Sequence, residues 1–116
     1  MATVLDWERA LENTDGSEEL LLELAGVFLE ECPKMMRQIK AAIDERDAPG
    51  LQLAAHSLKG SVRIFAASAA TDAALALENI GTSGDLSGAE DRRVALSQEI
   101  DRLKAILAER SGEQAR

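Results

Sequence analysis

The chain has 116 residues, 46% of them apolar, and a formal net charge of −8. That length is typical of one domain and suffices to bury one hydrophobic core. The acidic balance and the aromatic content of two Phe, one Trp and no Tyr argue against nucleic-acid binding, which needs a cationic face and aromatic stacking platforms. We therefore expect no nucleic-acid partner.

The single cysteine, Cys32, cannot form a disulfide within the chain, and no Cys/His cluster predicts a metal or other cofactor. A reducing compartment fits this usage best. The first residues carry acids and lack the apolar segment of a signal peptide, and no uncharged apolar run approaches the length of about 18 residues that a membrane span needs. We expect a cytoplasmic monomer without membrane contact, either free or part of a larger protein.

Helix-forming residues dominate the chain, and neither strand alternation nor hairpin turns appear. Asp6 is the predicted N-cap of a short helix that ends near Thr14, and Asp15 with Glu18 has the spacing of a capping box that opens a long second helix. Pro33 predicts a kink in that helix rather than its end, because the apolar stripe keeps its phase across it. The stripe comprises Leu21, Leu24, Ala25, Phe28, Cys32, Met35, Met36, Ile39 and Ile43.

The second half predicts three more helices. The third, with Asp47 as its predicted N-cap, runs from about Ala48 to Phe65, and an alanine-rich fourth ends before a loop at 81–85. Ser87 and Glu90 form a second capping-box pattern before a last helix, whose apolar residues are Leu96, Ile100, Leu103 and Leu107.

Four amphipathic helices with short connections predict an all-α fold, an antiparallel up-down four-helix bundle with a short extra N-terminal helix. We expect a single domain over 1–116 with flexible ends at 1–5 and 111–116.

The third helix carries the only histidine, His56, on the side opposite its apolar stripe of Leu51, Ala54, Ala55, Leu58, Val62 and Phe65. The polar side predicts an exposed strip at steps of four, three and four, made of Gln52, His56, Lys59 and Arg63, with Gly60 one turn beyond the histidine. Apolar residues flank the strip, which suggests docking of a partner. The candidate partner contacts are Leu53, Ser57 and Ile64.

The chemistry open to an exposed His56 is narrow. No activated Ser or Cys is signalled, and a metal site lacks further ligands. The convex face of a bundle also offers no pocket for a general base. A neutral imidazole can itself accept a group from one protein and pass it to another.

The neighbours of His56 fit transfer of a phosphoryl group. Lys59 and Arg63 would offset the charge of that group, and Gly60 gives a partner protein steric clearance. Gln52 could orient the ring or bind phosphoryl oxygens.

The segment around His56 resembles the histidine-containing phosphotransfer (HPt) domain family of bacterial multistep phosphorelays, whose signature is Ala-His-x-Leu-Lys-Gly-Ser followed by Leu-Glu. The matching residues are Ala55, His56, Leu58, Lys59, Gly60, Ser61, Leu77 and Glu78. The resemblance implies a four-helix bundle, phosphorylation of His56, and exchange with response-regulator receiver domains and a hybrid histidine kinase. It implies no ATP site and no kinase activity in this chain, and Mg²⁺ only in the partner receiver.

One position departs from the family: Ala66 stands where the family usually has Gly. We expect the extra methyl group to alter the junction between the third and fourth helices without changing the His56 face. Glu78, despite its match, could be no more than a surface helix former.

Two other functions stay open at this point. The chain could be the phosphotransfer domain of a chemotaxis-type histidine kinase, or a non-catalytic helical module that binds a receiver. The sequence also leaves open which nitrogen of the imidazole is phosphorylated, because that depends on which nitrogen a neighbour hydrogen-bonds.

Overall fold

The computed structural model describes residues 4–114, with side chains through residue 112. Within this range the chain forms five helices and no strand. The helices are α1 (Trp7–Glu12), α2 (Glu18–Asp44), α3 (Ala48–Ile64), α4 (Ser68–Ser83) and α5 (Ala89–Gln114). The long helices form the bundle, in which α3 packs against α2 and α4, and α5 closes the ring against the same two helices. The predicted fold class is confirmed.

The core lies along the predicted apolar stripes. All four apolar positions predicted for α5 are buried, and α3 buries Leu51, Ala55, Leu58 and Val62 while Ala54 is only half-buried. Each fully buried leucine stabilises the fold by roughly 1.5–3 kcal/mol. In α2 the buried stripe continues on both sides of Pro33, which lies inside the helix without ending it. None of the described helices combines the length and hydropathy needed to cross a bilayer.

Two N-caps follow the prediction and a third does not. Asp6 and Asp47 cap α1 and α3 by accepting hydrogen bonds from backbone N–H groups of the first turn. For α2 the cap is Ser17 rather than Asp15, and Asp15 adopts a left-handed φ of 52° in the preceding turn. The capping box predicted for Asp15 and Glu18 was wrong because that turn moves the helix start two residues along the chain.

The second predicted capping box, at Ser87, is also not formed. The backbone N–H of Ser87 donates to the side chain of Asp85, and α5 begins only after Gly88, whose φ is 77°. The Glu90 carboxylate accepts from Arg93 instead of reaching back to the helix start.

The loop predicted at 81–85 begins too early. Helix α4 continues to Ser83, and Gly84 ends it in the left-handed conformation, with φ 80°. Gly81 is buried where α4 crosses α3 at close range. A Cβ atom on Gly81 would lie 2.5 Å from the backbone nitrogen of Gln52 and 2.8 Å from the carbonyl oxygen of Ala48. The missing side chain therefore sets the distance between the two helices.

The junction between α3 and α4 turns at Ala66, whose φ is 52°. A residue with a Cβ atom in this left-handed region costs roughly 1–2 kcal/mol, a cost that glycine avoids. The glycine usual in the HPt family thus has a backbone reason at this position. Ala66 was expected to alter the junction through its extra methyl group. The structure shows that the free-energy cost arises from the left-handed φ angle of Ala66.

Helix α1 is fastened to this junction. The backbone N–H of Asp6 donates to the carbonyl oxygen of Ala66 at 3.2 Å, and the side-chain amide of Asn13 donates to the carbonyl oxygen of Ile64 at 2.9 Å. The guanidinium carbon of Arg110 lies 4.2 Å from the centre of the Trp7 ring, which ties α1 to α5 as well. These contacts fix α1 beside the C-terminal end of α3.

The ends of the domain were expected to be flexible over 1–5 and 111–116. Leu5 is buried in the core, and α5 continues to Gln114. Helix α5 therefore includes residues 111–114, and the flexibility of the two ends stays a prediction. Residues 1–3 and 115–116 lie outside the described residues.

We predict that Gly81→Ala lowers the free energy of unfolding by about 1–3 kcal/mol, because its methyl group would collide with the α3 backbone. The matched control is Gly26→Ala in α2, where an added Cβ meets nothing within 4 Å. That variant should gain roughly 0.5–1 kcal/mol from helix propensity. Denaturant unfolding measures both variants, and equal stabilities would contradict the close crossing.

We predict that Ala66→Gly leaves stability unchanged or raises it by up to about 1 kcal/mol, since relief of left-handed strain offsets the backbone entropy of glycine. Ala95→Gly is the control, at an exposed site inside α5, and should lose about 1 kcal/mol. Thermal and denaturant unfolding compare the two. A loss at Ala66 as large as that at Ala95 speaks against the strained turn.

Candidate functional site

His56 projects outward from the middle of α3. Its side chain is 65% exposed, while Ala55 before it and Leu58 after it are fully buried. The helical periodicity that places those two in the core places the imidazole on the opposite side. The predicted exposure of His56 is confirmed.

Glu78 of α4 holds one edge of the imidazole. Its Oε2 lies 3.0 Å from His56 Nδ1. An ionised carboxylate can only accept, so the hydrogen of the neutral ring lies on Nδ1, and Nε2 keeps its lone pair. No hydrogen bond to Nε2 occurs among the described residues, and the exposed ring presents this nitrogen to an incoming molecule.

The same carboxylate binds Lys59, one turn along α3 from the histidine. Lys59 Nζ lies 2.6 Å from Glu78 Oε1, and both side chains are only 16% exposed. Lys59 was expected in an open cationic strip, but it is paired and half-buried. The hydrogen bond from Lys59, assisted by that from His56, lowers the pKa of Glu78 below its ordinary 4.5.

The lowered pKa of Glu78 has two consequences. The carboxylate is ionised throughout the neutral range, and it therefore serves there as a hydrogen-bond acceptor for the ring. A depressed carboxyl pKa also stabilises the fold above the ordinary pKa, and this contribution is lost as the pH falls through the folded-state value.

The antiparallel pairing of α3 and α4 creates this arrangement. His56 and Lys59 occupy neighbouring positions on one helix face, three residues apart. Glu78 faces both from α4, three residues before Gly81, where the helices cross with backbone atoms nearly in contact. A carboxylate on a more distant helix could not reach both partners.

The other residues of the predicted strip occupy varied settings. Gln52 is half-buried beneath the crossing with Gly81, whereas Arg63 is exposed. Gly60 is exposed too, and an added Cβ there would meet nothing within 4 Å. No packing inside the described chain therefore requires glycine at position 60.

The candidate docking residues are not equivalent. Leu53 is 69% exposed, the most exposed large apolar side chain of the described residues, and with Ser57 it borders a shallow groove between α2 and α3. Ile64 was expected outside the core, but it is half-buried and packs against it. Because Ile64 is half-buried, it offers less surface to a partner than Leu53.

Sequence reasoning missed the partner of the imidazole. Glu78 lies 22 residues from His56, and nothing in local spacing shows that the two helices pair in this register. The Leu-Glu part of the signature was the available signal. The contribution of α1 was also missed, because Asn13 gives no sequence sign that its amide reaches the end of α3.

The site contains groups for nucleophilic chemistry and not for metal binding. Over the part of the chain that the structure describes, no three His, Cys, Asp or Glu residues gather to hold a metal ion. The imidazole can act as a nucleophile through the exposed Nε2 while its Nδ1–H donates to the Glu78 carboxylate. This carboxylate can stabilise the positive charge that develops on the ring.

Comparison with known proteins agrees with this geometry. The family model described as Hpt domain matches residues 23–106. No curated protein matches the chain.

Two solved structures share the fold. The crystal structure of histidine-containing phosphotransfer protein B (HptB) from Pseudomonas aeruginosa PAO1 is similar with a TM-score of 0.88 and 21% identity, over 97% of this chain and 98% of that one. The HPT domain from the Hpt sensor hybrid histidine kinase from Shewanella is similar with a TM-score of 0.81 and 18% identity, over 95% of each chain. Because the family match spans most of its length, the chain belongs to the Hpt domain family and is a histidine phosphotransfer module of phosphorelays.

Proposed function

We propose that His56 is the phosphoryl acceptor and that the protein shuttles phosphoryl groups between receiver-domain aspartates. The family carries the group on a histidine, and this chain contains one histidine. The observation that supports the proposal most directly is the exposed ring with its Nδ1 held by Glu78 at 3.0 Å.

The nitrogen that reacts is Nε2, since Nδ1 is engaged. Its lone pair attacks the phosphorus of an aspartyl phosphate, a P–Nε2 bond forms, and the P–O bond to the donor breaks, which leaves the donor as a free carboxylate. Positive charge develops on the ring as the bond forms, and the Glu78 carboxylate at Nδ1 stabilises it. Transfer to a second aspartate reverses these steps, and the electron pair returns to Nε2.

Cations near His56 offset the charge of the phosphoryl group. Lys59 stands one turn away, and its ammonium can donate to a phosphoryl oxygen while still donating to Glu78, or exchange one acceptor for the other. Arg63 lies about 10 Å along the helix, within reach of an oxygen only through its long side chain. Gly60 leaves room for the partner to approach, and a role for Gln52 in orienting the ring stays a prediction.

The partners follow from the chemistry of the donor and acceptor. Receiver domains of response regulators and of a hybrid histidine kinase supply the aspartates, and Mg²⁺ belongs to the receiver. The chain acts as a carrier without kinase activity of its own. It works as a monomer in the cytosol, the compartment that its single cysteine favours.

We expect the protein to take up acid-labile, base-stable label from a phosphorylated receiver, and His56→Gln to take up none, because the variant has no imidazole. Labelled receiver followed by gel analysis measures this. Uptake by His56→Gln equal to the parent would contradict the proposal. Tight receiver binding by both proteins, with no label on either, would instead indicate a non-catalytic binding module.

We expect Glu78→Gln to slow phosphoryl uptake about tenfold. A neutral amide forms a hydrogen bond weaker by about 1–1.5 kcal/mol than that of a carboxylate, and it cannot offset the ring charge. Glu109→Gln is the matched control, since it removes the same charge from an exposed position on α5 that forms no ion pair among the described residues. A time course of labelling with quenched samples gives the uptake rate of each variant, and equal rates for the two variants would exclude a role for the Glu78 carboxylate.

A further inference from the structure

A groove opens on the phosphoryl-accepting face next to His56. It is enclosed by α1, the C-terminal end of α3 and the N-terminal end of α4, and its volume is about 650 Å³. It begins at Gly60, one helical turn beyond His56, and it exists because α1 is fastened over the α3–α4 junction by Asp6 and Asn13.

Four charged side chains line this groove: Arg9 and Glu12 from α1, Arg63 from α3 and Asp72 from α4. All four are exposed. Within residues 4–112 none of them takes part in an ion pair. Elsewhere on the surface, by contrast, Glu90 pairs with Arg93 and Glu99 with Arg102. The groove thus presents two positive and two negative groups that keep their charges available.

A partner that reacts with His56 covers the α3 edge of this groove. A specific interface buries about 800 Å² on each partner, a patch of roughly 16 Å radius. With a rise of about 1.5 Å per residue, Gly60 lies about 6 Å and Arg63 about 10 Å along α3 from His56. Both fall inside a footprint centred on the imidazole.

The two sides of that footprint differ in chemistry. On the α2 side the groove beside His56 combines the exposed Leu53 and alanines with Glu45 and Asp47, so its charged groups are all acidic. On the α1 side the lining includes Ile64 and Ala66 but is mostly polar, and it carries both signs of charge. Opposed charges across an interface set partner choice and encounter rate more than affinity, and like charges reject wrong partners.

We propose that the α1 groove selects the receiver. Its cognate receiver presents, beside its phospho-accepting aspartate, a surface segment with an acidic and a basic side chain that pair with the groove arginines and with Glu12 and Asp72. The proposal rests on the phosphotransfer function proposed above and adds the specificity-determining residues Arg9, Glu12 and Asp72, which no part of the signature includes.

The test exchanges the two charges of α1 in the variant Arg9→Glu/Glu12→Arg, which leaves the net charge unchanged. Transfer rates are measured from a panel of phosphorylated receivers to the parent and to the variant. We expect transfer from the preferred receiver to fall about tenfold and the rank order of the receivers to change. Asp72→Lys is a second variant, on another helix, and should disfavour the same receiver.

The matched control is Glu99→Arg/Arg102→Glu on α5, which reverses an ion pair of the same i,i+3 spacing. Helix α5 contributes no residue to either groove beside His56. This control should transfer like the parent with every receiver.

Phosphoramidate supplies a readout that does not depend on docking. Its P–N bond breaks with loss of ammonia as the P–Nε2 bond forms, so the labelling rate reports the reactivity of His56 alone. The Arg9/Glu12 exchange should leave this rate unchanged. If it also leaves every receiver rate like that of the α5 control, the groove does not select the partner. Failure of all receivers to label the parent would overturn the phosphotransfer proposal itself and this inference with it.

Discussion

The site depends on one shared carboxylate. Glu78 uses one oxygen for Nδ1 of His56 and the other for the ammonium of Lys59. The contact at Nδ1 orients the ring and leaves Nε2 exposed as the nucleophile. The contact with Lys59 fixes the carboxylate in the position from which it holds the ring.

This sharing requires two helices at an unusually short distance. Gly81 lets the α4 backbone approach the α3 backbone near Gln52, and Glu78 is then carried to within hydrogen-bond range of His56. The core below is filled mainly by alanine and leucine, among them Ala55, Ala74 and Leu77. Small residues between α3 and α4, with a glycine at their crossing, thus bring the two helices close enough for the polar site on the surface to form.

Much of the fold could be predicted from the sequence because it is encoded locally. The helical periodicity of the apolar residues correctly predicted the position of α3 and the exposure of His56. The side chains of Asp6 and Asp47 correctly predicted two helix starts. The errors occurred at turns. Asp15 adopts a left-handed φ, a conformation that is not predicted for a residue other than glycine. The N-cap of α2 therefore lies two residues later, at Ser17. Gly81 was interpreted as a loop residue, since glycine in a sequence signals a turn as readily as a close approach.

The site was predicted only in part, because part of it depends on how two helices pack and not on local sequence. Spacing along one helix brought together His56, Lys59 and Gly60, but the register between α3 and α4 is a tertiary property. Lys59 was therefore expected to be exposed to solvent, and Glu78 was left open as a surface residue without a role. In the structure the two form a half-buried ion pair. The α1 groove depends on three separate segments of the chain, and no single-helix pattern could indicate it.

The most direct measurement of the central claim is long-range ¹H–¹⁵N NMR correlation of the His56 ring, before and after phosphorylation. With one histidine in the chain, the ring signals are unambiguous. We predict that the neutral form of the ring carries its hydrogen on Nδ1 before phosphorylation and that ³¹P couples to Nε2 afterwards. Hydrogen on Nε2 in the free protein, or phosphorus on Nδ1 in the phosphorylated one, would contradict it.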